Sequence, residues 1–215
     1  MSRRNSANRR EVTDLLKQEG MYIIKTREDV ERMLDVMARF YADDALFDWL
    51  CDGEYDEMTA KYLMSAGIYS MPAVISYADS PEFNAVAAWV PPGNKVLSPI
   101  PYLTNGGLDL YKQRGVRIMS KLLNYQGIAT KMHKSITGKG DWYLFSYAVN
   151  PDCDEYEFSG KILRPITKYG WERGEACYCE VTSDRGINIM RAAGFQVRDQ
   201  IRIPRSRVTY YGVMV

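Results

Sequence analysis

The stretch DWYLFSYAVNP, Asp141–Pro151, decides how this chain reads. From Asp141 to Val149 apolar and aromatic residues occupy both alternating faces, the pattern of a strand buried in the middle of a sheet. Ser159 then offers an N-cap for a helix through about Arg173, with Ile162, Leu163, Ile166 and Tyr169 inward and Pro165 expected to bend it. Ala176–Thr182 reads as the next strand and Arg185–Ala193 as a short helix closed by Gly194. Gln196–Ile203 and Val208–Val215 end the chain as an antiparallel pair. Strand, helix, strand, helix, strand, strand is the order of an α/β (α+β) domain, a mixed sheet with helices on its faces.

Working back toward the start, Met21–Ile24 forms a short strand. Thr26 caps a helix with Asp29 three residues on, and Val30, Met33, Leu34, Met37 and Tyr41 follow at helical spacing. A second helix lies within Tyr55–Ser70. Ala73–Tyr77 and Phe83–Val90 read as a strand pair ended by Pro91-Pro92-Gly93. Leu108–Leu123 and Tyr125–Lys134 read as helical. Residues 1–20 open with Arg3, Arg4, Arg9 and Arg10, and are expected to be a solvated, weakly ordered basic arm before a single domain over 21–215.

Composition narrows the function classes. The 28 basic and 27 acidic residues of the 215 give a net charge of +1, so no bulk field points to nucleic acid or a membrane surface. No apolar run reaches the ~18 residues of a membrane span, and no signal-peptide pattern opens the chain. Cys51, Cys153, Cys177 and Cys179 lack CxxC spacing and read as free thiols of a cytoplasmic protein. His133 is the one histidine, which argues against a histidine-rich metal site.

Taken together, DWYLFSYAVNP, the following helix and CYCEVTSDRGINIMRAAGFQV resemble the acetyl-CoA-binding core of the GNAT acyltransferase superfamily. The motifs are Trp142-Tyr143-Leu144, Val149-Asn150-Pro151, Leu163-Arg164-Pro165 and Gly194-Phe195, with RFYADDALFDWL (Arg39–Leu50) and VAAWVPPG (Val86–Gly93) earlier. The resemblance implies a mostly antiparallel sheet in which the central strand splays from Ala176–Thr182, leaving a cleft for the pantetheine arm of acetyl-CoA. It implies that Ser146, Tyr147, Ala148 and Val149 align the thioester. The segment Asp154, Glu155, Glu157, Ser159, Gly160 and Lys161 would meet the diphosphate, with a weaker contact from Asn188. An amine would attack the thioester carbonyl while a base takes its proton.

Two departures stand out. The family's diphosphate loop is Gln/Arg-x-x-Gly-x-Gly/Ala, so that amides can crowd an anion without Cβ interference. This chain has Asp152, Asp154, Glu155 and Glu157 there, and Gly160 falls one residue out of phase. We expect a resident carboxylate, Glu157, to occupy the anion site; the same acids also suit a helix N-terminus electrostatically. The second departure is Met190, at the position where many relatives carry a thiolate-protonating tyrosine, and Met cannot donate a proton.

Glu180 follows Cys179 at a strand end and is the candidate general base, with a strand-end salt bridge as its structural role. Tyr147 is a second catalytic candidate; Tyr143 and Tyr147 are expected on one strand face, where plain packing also explains them. Cys177 and Cys179 read as core; the resemblance implies His133 on the substrate side, with a surface or supporting position as the equal alternative. Three functions follow. One is an acetyl-CoA-dependent N-acetyltransferase acting on a small-molecule or peptide amine. The second is a GNAT-fold binding protein that has lost its cofactor. An aminoacyl-tRNA-dependent transferase is weaker, since the chain shows neither a paired domain nor a basic face. Acceptor choice is expected to lie in Ala45–Gly67 and Pro91–Leu108; oligomeric state is open.

Overall fold

Pairing among the strands builds one seven-stranded sheet in the order β1-β2-β3-β4-β5-β7-β6, antiparallel throughout except for the parallel pair β4–β5. The computed structural model describes residues 3–94, 99–137, 140–204 and 206–215. Its elements in chain order are α1 (Arg3–Gln18), β1 (Tyr22–Ile23), α2 (Arg27–Phe40), α3 (Ala45–Leu50), α4 (Glu57–Ser70), β2 (Ile75–Ala78) and β3 (Ala85–Val90). There follow α5 (Pro99–Tyr102), a wide π turn (Leu103–Gly107), α6 (Leu108–Ile136), β4 (Trp142–Val149), α7 (Glu155–Arg173), β5 (Cys177–Val181), α8 (Asp184–Ala192), β6 (Gln196–Arg202) and β7 (Thr209–Met214). The mixed α/β class expected from the sequence is the one formed.

Each sheet face carries its own core. Residues of α1, α7 and α8 pack on one face around Trp89, Trp142, Leu144 and Ile166. Those of α2, α3, α4 and α6 pack on the other around Met33, Met37, Phe47 and Leu122. The capping box at Thr26 forms, with Thr26 and Asp29 each bonding the other's backbone N–H. Leu108–Leu123 and Tyr125–Lys134 turn out to be one helix, interrupted by Gly115 at φ +73°, a left-handed conformation that glycine adopts at no steric cost.

The arm expected over residues 1–20 is instead mostly the helix α1. Val12 and Leu16 are fully buried in the same core as Ile162 and Ile166, so the apolar stripe of this helix, not its arginines, decides its placement. The helix expected to begin at Ser159 begins at Glu155, with Asp154 as N-cap accepting from the Glu157 amide at 2.8 Å. Aspartate caps as well as serine does, and it comes first. Ser159 is thereby carried into the helix and buried, and the helix continues across Pro165.

β4 contains the feature that shapes the site. Ala88 pairs with Ser146 and Trp89 with Leu144, so Phe145 is an extra residue with no partner on β3. Such a bulge bends its strand and reverses the side-chain alternation beyond it. Trp142, Leu144, Tyr147 and Val149 therefore share one face, whereas Tyr143 packs with Val90 and Tyr178 on the other. Tyr143 and Tyr147, expected on one face, lie on opposite ones. The parallel pairing with β5 ends at Leu144 and Cys179, just where the bulge begins.

Because α1 is bound by apolar burial, Leu16→Ala is expected to destabilise the chain by about 2–4 kcal/mol in urea unfolding. A change below 0.5 kcal/mol would mean that α1 does not dock.

Candidate active site

Beyond Leu144 the splayed strands enclose a small cleft of about 160 Å³, walled by Phe145, Ser146 and Tyr147 of β4, Glu180 of β5, Gly186 of α8 and Tyr41. On the other side of the bulge lies a larger cavity of about 570 Å³, roofed by α3, α4, α5 and α6. Phe145 and Glu180 line both spaces. The bulge places Phe145 there. The alternation of β5, with Cys177, Cys179 and Val181 turned to the opposite core, places Glu180 there.

The Glu180 carboxylate accepts a hydrogen bond from the Tyr143 hydroxyl at 2.8 Å. Burial raises its pKa to about 7, an effect reduced by that bond and by the neighbouring His133. The expected strand-end salt bridge does not form among the described residues; the carboxylate's neighbours are phenols. Burial, and then the charge of Glu180, hold the Tyr143 and Tyr178 hydroxyls well above the usual phenol range, so both stay protonated donors. His133 stacks on Tyr178 at 4.5 Å between ring centroids and on Tyr143 at 5.1 Å, while its Nε2 lies 2.8 Å from Asp141 Oδ2. His133 lines the larger cavity.

Around the small cleft the side chains close on one another. The Tyr41 hydroxyl donates to the Tyr147 carbonyl at 2.9 Å and lies 3.1 Å from Ser146 Oγ, capping the free edge of β4. Thr182 donates to the half-buried Asp44 carboxylate at 2.9 Å, which also caps α3 through the Leu46 amide. Burial raises the pKa of Asp44, the Thr182 bond opposing the shift. Tyr147 lines the cleft and is held protonated by burial, so it can donate but not act as a base. Ala148 and Val149 are buried in the two cores and do not line the cleft.

The loop residues assigned to the diphosphate are otherwise engaged. Asp154 satisfies the Glu157 amide, and the Glu157 side chain is exposed and makes no hydrogen bond among the described residues. The expectation that Glu157 fills the anion site is therefore replaced: Asp154 takes the amide, and Glu155 binds Arg185 Nε at 2.7 Å across the cleft mouth. Glu155 is the better placed because it starts α7 facing α8. Lys161 turns to the buried Asp79 at 3.3 Å, Gly160 is exposed with open space where a Cβ would stand, and Asn188 is exposed outside the cleft. Met190 is fully buried against Cys179 Sγ at 3.6 Å. Cys177 is core as expected, with burial pushing its thiol up to about 12.

No family model matches the chain in sequence, and no curated protein does. Solved structures match its fold. A histone acetyltransferase HPA2-related acetyltransferase from Corynebacterium glutamicum aligns at TM-score 0.53 with 16% identity, over 90% of this chain and 94% of that one. A polyamine N-acetyltransferase of Drosophila melanogaster aligns at 0.54 with 13% identity, over 91% and 99%. A putative arylalkylamine N-acetyltransferase 7 of the yellow fever mosquito aligns at 0.57 with 12% identity, over 89% and 84%. This chain has the GNAT fold.

For acetyl-CoA, the donor that a GNAT fold implies, the cleft is narrow and the chain segment at its rim is acidic. The cleft of about 160 Å³ is smaller than the ~300–1,000 Å³ of ordinary ligand sites, and Tyr41 holds the strand edge that a pantetheine amide would need. Four carboxylates, Asp152, Asp154, Glu155 and Glu157, lie in the chain segment that would form the diphosphate loop. Arg185 at the cleft mouth is already paired. Tyr41, Asp44, Phe145 and Arg185 were not singled out as site residues. For Phe145 the signal would have been the one-residue offset between β3 and β4, visible only after pairing.

Glu180 also sets a linkage. Its folded pKa is raised, so its contribution to stability is full below the unfolded value near 4.3 and is lost as pH rises through about 7. Relative to wild type, Glu180→Gln is expected to gain about 2–3 kcal/mol between pH 4.5 and pH 8 in urea unfolding. A pH-independent difference would contradict the burial of this carboxylate.

Proposed function

We propose that this protein is an N-acyltransferase whose acceptor amine sits in the larger cavity and gives its proton to Glu180. The observation that carries this reading is that Glu180 lines both the cavity and the cleft between β4 and β5. A carboxylate between two ligand spaces can hold an ammonium group in one and take its proton as the nitrogen turns toward the other. A pKa near 7 suits that task, because such a base is about half ionised at neutral pH and keeps appreciable basicity. The Tyr143 hydroxyl holds the carboxylate in place, and His133, paired with Asp141, stacks on the Tyr143 ring. That three GNAT-fold neighbours are named as acetyltransferases supports the reading by fold analogy.

The test is acetyl transfer to a panel of small amines. The rate is expected to rise with pH through about 7 as Glu180 ionises. Glu180→Gln is expected to lower it by about 10²–10⁴-fold. An unchanged rate in the variant would remove Glu180 from the chemistry.

A second reading, a GNAT-fold binding protein without transfer, is favoured by the acidic, self-capped loop. A carboxylate about 5 Å from a phosphate costs on the order of 1–3 kcal/mol, roughly tenfold or more in affinity. In calorimetry with acetyl-CoA, Glu155→Gln, which also frees Arg185, is expected to bind at least ~10-fold more tightly than wild type. If neither wild type nor Glu155→Gln binds acetyl-CoA and no amine is acetylated, the binding-protein reading stands.

A further inference from the structure

We propose that the larger cavity selects a primary monoamine with an apolar body and excludes polyamines. This deepens the reading of that cavity as the acceptor site and rests on it. Among the described residues lining the cavity, Glu180 is the single carboxylate, and it lies at the end where Phe145 and the cleft meet. The rest of the wall is mainly apolar or aromatic, with Phe47, Leu63, Leu122, Tyr102 and Tyr125 prominent. The basic wall residues, His133 and Lys134, offer no negative charge, and burial keeps the Tyr102, Tyr125 and Tyr143 hydroxyls protonated and neutral.

One ammonium can therefore be neutralised, at Glu180. A second ammonium farther along the same molecule would enter apolar surroundings with no counter-ion, and would meet Lys134; an unpaired buried charge is strongly disfavoured. An apolar body gains by leaving water, and aromatic rings tolerate a nearby cation on their faces. A volume of about 570 Å³ admits a small molecule and not a folded peptide segment.

The size limit is set by an unusually close contact. A Cβ added at Gly67 of α4 would stand 2.3 Å from Phe145 Cζ, so the missing side chain at Gly67 gives the Phe145 ring its place in the cavity wall. Gly67→Ala would push that ring and narrow the site. Gln126 of α6 also lines the cavity, and it is partly buried. Glutamate at that position adds a second carboxylate with almost no change of shape.

Calorimetry without any acyl donor tests this, using 2-phenylethylamine, its neutral isostere 2-phenylethanol, and spermidine. Wild type is expected to bind the amine at least ~10-fold more tightly than the alcohol and to show no saturable binding of spermidine. Glu180→Gln is expected to lose the preference for amine over alcohol while still binding the alcohol. Gln126→Glu, in which Glu180 is untouched, is expected to gain spermidine binding by at least ~10-fold. Gly67→Ala is expected to weaken the amine by a similar factor.

Spermidine binding as tight as phenylethylamine in wild type would overturn the proposal. So would equal affinity for amine and alcohol, or no binding of any of the three. Binding in the expected order with no acetyl transfer would leave the selectivity standing and remove the transferase reading.

Discussion

A single extra residue, Phe145, governs this structure. Until Leu144, β4 and β5 run as an ordinary parallel pair. The bulge bends β4 away from β5 and leaves their remaining edges apart. Everything that distinguishes the site depends on that separation. The cleft opens there, the side-chain phase reverses there, and Phe145 and Glu180 become the common wall of two cavities. A sheet continued without the bulge would send Tyr147 to the cavity face and fill the gap between the strands with hydrogen bonds.

Electrostatics at the site follow from where each carboxylate ends. Asp154 is at a helix N-terminus and finds a backbone amide, which makes it a structural cap. Glu155 finds Arg185, and Asp44 finds Thr182 and the first turn of α3. Among the described residues, Glu180 has neither an arginine nor a backbone amide as partner. It faces phenols and a histidine, so burial dominates its titration and carries its pKa to about 7. A carboxylate neutralised by an arginine is silent in chemistry near neutral pH; one paired with hydroxyls is poised there. This contrast, within one set of acidic residues, is why the proposed chemistry rests on β5 and not on the loop before α7.

Much of the architecture was legible beforehand because it rests on local signals. The two-faced apolar run at β4, the Thr26–Asp29 capping box and the Gly194 stop are short-range patterns, and all three formed. The misreadings have particular causes. Asp154 and Ser159 are both good caps, and sequence alone does not rank them. The arginines of α1 drew notice away from Val12 and Leu16, whose burial needs a partner surface from α7 that is distant in sequence. Glu155 and Glu157 are equivalent on paper; helix phase sends one to Arg185 and the other to solvent.

What the sequence determined by itself is therefore the order and type of the elements, the buried central strand and the acidity of the loop after it. These depend on periodicity, capping chemistry and charge, which are properties of neighbouring residues. Only the tertiary structure decided that Phe145 is supernumerary, that Tyr143 and Tyr147 part company, and that Glu180 stands between two cavities. Register, alternation beyond a bulge and the solvation of a carboxylate are set by contacts between distant segments, such as Ala88 with Ser146 or Glu180 with Tyr143. No local pattern encodes them.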